Sequence, residues 1–156
     1  MQSRSIIKFV AITAAFVVLI VGFIYFSEQS LLSSGKTNAL TVAQAIEDGD
    51  VQSVKDRLAE FVGSDIPAEG TEYQQALDSI DYVASIITEG KELRFVGGDL
   101  TESDENTIYG AAFALPAPQG GEDYLLVTLR REDDVWRLAN TQLSATNPFE
   151  ETTELD

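Results

Sequence analysis

The chain of 156 residues contains no cysteine and no histidine. Without Cys it has no disulfide framework, thiol nucleophile, thiolate metal site, covalent haem attachment or lipoprotein modification. Without His it lacks the usual catalytic triads, imidazole-ligated zinc and the commonest general base. Carboxylates, hydroxyls, Tyr, Lys and Arg remain for any chemistry. Positive charge is also scarce, because 10 Lys and Arg stand against 26 Asp and Glu for a formal charge of −16, and every acidic residue follows Phe26. That field repels phosphates, so nucleic acid is not an expected partner. No cofactor and no metal is implied by the composition.

One stretch has no charge at all: Phe9 to Phe26, FVAITAAFVVLIVGFIYF. As an α-helix it would measure roughly 27 Å, close to a hydrocarbon core of about 30 Å. It is longer than a signal-peptide core and ends in Phe23, Tyr25 and Phe26, which suit a membrane interface better than a small-x-small cleavage site. The expectation is a retained single-pass transmembrane helix at 9–26, with a cleaved, secreted domain as the alternative. Arg4 and Lys8 precede the run, so residues 1–8 are placed in the cytoplasm and the rest outside it, at an inner or plasma membrane. The lipid bilayer is then the first partner. Ala11, Ala15, Val18 and Gly22 share one helical stripe, read either as a packing seam for a second membrane helix or as ordinary lipid-facing residues.

Beyond the run, residues 27–38 are rich in Ser and read as a polar linker. Residues 39–144 suffice for one small domain. Leu40, Ala43 and Ile46 share a side of a short helix that Gly49 ends. Asp50 is placed to cap a second helix whose apolar positions are Val51, Val54, Leu58, Phe61 and Val62. A third opens at Thr71 with the T-x-x-Q spacing of Thr71 and Gln74, and carries Tyr73, Ala76, Leu77, Ile80, Val83, Ala84 and Ile87 on one face.

From Lys91 the apolar period changes to two. A strand through Leu93 and Phe95 bends at Gly97-Gly98, where a bulge is expected. A second covers 107–115, a third 124–131 and a fourth 135–143, the last two joined by a tight turn at Asp133-Asp134. Residues 145–156 read as an acidic, disordered tail. Helices first and antiparallel strands afterwards give the fold class α+β, with about three helices on a four-stranded antiparallel sheet behind a single transmembrane helix.

Two segments carry a family likeness: Thr41 to Val54, in which a short helix reaches Gly49-Asp50 before a second begins, and Leu125 to Leu143, LLVTLRREDDVWRLANTQL. In them the chain resembles the cystatin-like α+β cone superfamily that includes nuclear transport factor, scytalone dehydratase and ketosteroid isomerase, over about residues 39–144. From Ala114-Leu115-Pro116 to Trp136 it is also similar, more loosely, to membrane-anchored cytochrome oxidase assembly and mitochondrial translocase accessory domains. Membrane-anchored cone domains, such as the scaffold of type IV secretion systems, bind other subunits and perform no chemistry. The resemblance thus implies a non-enzymatic accessory protein whose partners are integral membrane complex subunits. The alternative it leaves open is an isomerase-like or small-ligand pocket.

Such a pocket needs a carboxylate base and a hydroxyl donor. Asp78, Asp81 and Asp99 are the candidate bases, and Tyr82 and Tyr109 the donors, against plain solvation of the helix residues. Glu102, Asp104 and Glu105 are a solvated turn or a loose calcium chelate without the glycine and distal Glu of a calcium loop. Trp136 is either core packing beside Leu138 or an interface anchor. With Tyr109, Arg130 and Arg131 it completes the interface candidates, although the two arginines can equally neutralise Asp133 and Asp134.

Overall fold

The computed structural model describes residues 26–65, 71–87, 92–102 and 106–150, without side-chain detail at 61–65 and 71. Contacts divide the chain into two units, Met1–Ser33 and Ser34–Asp156. Residues 26–47 are helical; those from 34 onward, here α1, belong to the second unit. It continues with α2 (Val51–Asp65), α3 (Thr71–Ile87), β1 (Arg94–Glu102), β2 (Thr107–Pro116), β3 (Glu122–Glu132) and β4 (Val135–Ser144). The strands form one antiparallel sheet in the order β1-β2-β3-β4.

Among the described residues the fold is α+β, with three helices and a four-stranded antiparallel sheet. The expected transmembrane element requires correction. Among the described residues no helix is long and apolar enough to cross a membrane. Of the run at 9–26 all but Phe26 lies outside the described residues, as do Ala11, Ala15, Val18 and Gly22. The linker assignment at 27–38 also differs from the structure, where these residues are helical. From Ser34 on the helix has a face to bury, since Gly35, Ala39, Val42, Ala43 and Ile46 are buried at three- and four-residue spacing. Leu40 turns outward instead.

α1 ends in a Schellman motif. Gly49 is left-handed at φ 77°, its N–H donates to Ile46 at 3.1 Å, and the N–H of Asp50 donates to Ala45 at 2.8 Å. The reversal carries the chain directly into α2, which buries Val54 and Leu58. α3 buries Ala76, Ile80, Val83 and Ile87 on the anticipated stripe. α2 and α3 lie against β4, and the three helices share one core with a sheet face made of Tyr109, Ala111, Phe113 and Leu115 from β2, Leu125, Val127 and Leu129 from β3 and Leu138 from β4. Cross-strand register puts these residues opposite one another, Phe113 beside Leu125 and Tyr109 beside Leu129.

Bulges shape both edge strands. β1 shifts register between Phe95 and Gly97, as the paired glycines suggested, and β4 carries an extra residue at Ala139 opposite the Thr128/Leu129 step. The β3–β4 turn has Asp133 at φ 48° and Asp134 at φ 65°, the two positive values of a type I′ hairpin. Past β4, residues 145–150 bend back over the sheet. The ring of Phe149 lies 3.1 Å from where a Gly97 side chain would begin.

Candidate functional site

Tyr109 is the residue around which the site is built. It projects from β2 into the core, and its ring is flanked by two glycines: a Cβ on Gly35 of α1 would come within 2.7 Å of its Cγ, and one on Gly98 of β1 would collide with its hydroxyl. Burial, and then the charge of Asp99, push its pKa above the ordinary 10.0. Its ring meets Trp136 edge to face, at 6.4 Å between centroids and 68° between planes. Trp136 is half-buried, and its indole N–H donates to Ser34 Oγ of α1 at 2.9 Å. The two aromatic candidates are thus brought together, Tyr109 wholly inside and Trp136 at the rim.

Arg130 and Arg131 are separated by the strand period and lie on opposite faces of β3. Arg131 Nη2 reaches Asp134 at 2.9 Å across the turn, while Arg130 Nε and Arg137 Nε approach the two oxygens of Glu132 at 3.4 Å each. The adjacent pair Arg130-Arg131 stands out in the sequence, but Arg137, which register sets directly opposite Arg130, belongs with it. Its place in Trp136-Arg137-Leu138, after a two-residue turn, was the available signal.

The candidate acid–base residues do not converge. Asp78 and Asp81 are exposed on α3; the first accepts from Gln74 at 2.9 Å and the second pairs with Lys55 at 2.6 Å. Tyr82 is exposed. Asp99 is exposed on β1, where its Oδ1 accepts from the N–H of Leu100 at 2.8 Å. The space beneath the sheet is occupied by side chains, with Phe95 packed edge-on against the buried Phe113 at 5.6 Å. Glu102 is exposed, Asp104 and Glu105 lie outside the described residues, and no cluster of three or more ligating carboxylates occurs among the described residues.

Two open grooves flank α1. One, of about 540 Å³, runs past Leu40, Gln44, Asp48 and Asp50. The other, of about 320 Å³, follows residues 135–138 of β4 and is walled by Asn38 and Thr41 of α1 and by Arg57 and Glu60 of α2. Val135, 54% exposed, stands at its mouth. Arg57 makes no ion pair with a described residue, and Glu60 is the one carboxylate on the described lining. Sequence periodicity gave no hint of this second groove, because it is assembled from three elements.

No family model matches the chain, and no curated protein or solved structure shows significant similarity to it. The likeness to the cystatin-like cone superfamily rests on the residues of 41–54 and 125–143 alone.

Proposed function

We propose that residues 34–150 form a non-enzymatic accessory module that binds subunits of a larger complex. One observation carries this reading. The helix-facing side of the sheet, where a cone enzyme needs a cavity, is filled by Tyr109, Phe113, Leu125 and Leu129, and Asp78, Asp81 and Asp99 are all exposed. The accessible relief lies instead at the outer groove beside Trp136 and Val135, with an aromatic held by α1 and an apolar side chain open to contact. Placement outside the cytoplasm belongs to the same proposal and rests on residues 1–26 of the sequence, where positive charge precedes an uncharged apolar run.

Purification from native membranes in mild detergent tests the reading. A stoichiometric partner is expected with the wild-type chain, and its loss with Val135→Asp at unchanged far-UV circular dichroism. A monodisperse, partner-free protein from the same preparation overturns it. Protease added outside intact cells should cleave the module; full protection overturns the placement.

A further inference from the structure

β4 ends the sheet, so no strand lies beside its outer edge among the described residues. The two-residue turn dictates which backbone groups that edge presents. Glu132 and Val135 flank the loop as its hydrogen-bonded pair, so Arg131 and Trp136 form the next, non-bonded pair. The N–H and C=O of Trp136 therefore point away from β3, and those of Leu138 repeat the direction up to the bulge. Both residues lie on the groove of about 320 Å³.

We infer that this edge accepts an extended, acidic peptide segment of the partner as a fifth strand. The inference rests on the accessory reading above and names the chemistry of what is bound. Main-chain pairing to Trp136 and Leu138 supplies the docking, as in other strand-addition complexes. Charge supplies the selection. Arg57, Arg130, Arg131 and Arg137, four of the chain's 10 basic residues, gather at this end of a molecule of charge −16, where Glu132 pairs with Arg130 and Arg137 and Asp134 with Arg131. Arg57 and Arg137 reach the groove itself, against Glu60 alone on its described lining. A basic segment would be drawn to the acidic surface at large and would meet these two guanidiniums here. A second copy would set two chains of −16 together and, pairing about Arg137, would place like charges opposite each other.

The strand period also sets the pattern. A partner residue opposite Arg137 lies on the outer sheet face, and its neighbour faces the helices and Arg57, so two successive acidic residues bring one carboxylate to Arg57 and one to Arg137, whose Nε also approaches Glu132 at 3.4 Å. An apolar residue farther along covers Val135.

The probe is a blocked decapeptide of alternating Thr and Val with a central Asp-Glu pair, titrated into the full chain. Trp136, the chain's one Trp, reports binding by fluorescence, and hydrogen exchange reports the amides of Trp136 and Leu138. Saturable binding is expected, with both amides slowed. Affinity should fall at least tenfold for Arg57→Glu/Arg137→Glu, for an Asn-Gln version of the peptide, and for a peptide N-methylated at its pairing amides. Equal binding by the neutral peptide, an unaffected double variant, or unchanged exchange at Trp136 and Leu138 overturns the site. So does protection of those amides that grows with protein concentration and needs no peptide. If a co-purified partner stays bound to Arg57→Glu/Arg137→Glu, the edge site fails while the accessory role stands. If no partner co-purifies but the peptide binds as described, the accessory role fails and the site stands.

Discussion

At the scale of single residues, Tyr109 shows how a side chain sets the identity of its neighbours. Alanine normally stabilises a helix interior over glycine by about 1 kcal/mol. At Gly35 the sign reverses, because the added Cβ would sit 2.7 Å from Tyr109 Cγ, inside van der Waals contact with a ring packed on every side. Gly35→Ala is expected to destabilise by roughly 1–3 kcal/mol in urea melts. A stabilising result would mean that α1 does not lie against β2. The hydroxyl of the same ring has a pH signature. Its pKa is raised in the folded state, so the neutral form is favoured there; its contribution is complete below the ordinary 10.0 and is lost as pH rises through the higher folded value. Tyr109→Phe should therefore resemble wild type near neutrality and lose less stability as pH rises above the ordinary 10.0. Parallel pH–stability curves for the two proteins would refute that.

At the scale of elements, the helix and hairpin ends are where backbone conformation is most exposed to test. Gly49 sits at φ 77° with open space where a Cβ would go, so Gly49→Ala carries a conformational cost alone. About 1 kcal/mol of destabilisation is expected, and less for Gly49→Asn, because Asn tolerates the left-handed region. Equal losses for the two variants would point to a packing cause. The helical stripe of α3 and the alternation of β2 and β3 were legible in the sequence, because each buries one continuous face against one neighbour. The Asp133-Asp134 turn and the Gly97 bulge were legible for a related reason, as local backbone chemistry marks them. The helical conformation at 34–38 was not, although Ser34, Gly35 and Lys36 pack against distant partners: the Trp136 indole, the Tyr109 ring, and the Phe95 ring 4.6 Å below the Lys36 ammonium. The groove was hidden as well. Arg57 and Arg137 are 80 positions apart, and only the seating of α2 against β4 puts them along one edge.

At the scale of the whole molecule, charge decides how stability responds to salt. Five ion pairs join described residues, namely Lys55–Asp81, Arg94–Glu122, Arg130–Glu132, Arg131–Asp134 and Arg137–Glu132, and each lies at least partly in solvent. Exposed pairs contribute roughly 0–1 kcal/mol apiece and weaken as salt screens them. Against them stands the self-repulsion of a net charge of −16, which folding concentrates and which salt screens as well. Among the described residues, acidic side chains outside these five bridges far outnumber those in them, so the repulsive side should dominate. Raising NaCl from about 0.01 M to about 0.5 M, which shortens the screening length from about 30 Å to several ångströms, is therefore expected to raise the melting temperature in calorimetry. A falling melting temperature would mean that the ion pairs outweigh the net charge, and the arginine cluster beside β4 would then be reinterpreted as structural neutralisation. Binding of an acidic strand at that cluster should show the opposite trend, weakening over the same salt range. The two slopes, measured on one sample, separate the charge that opposes folding from the charge that selects a partner.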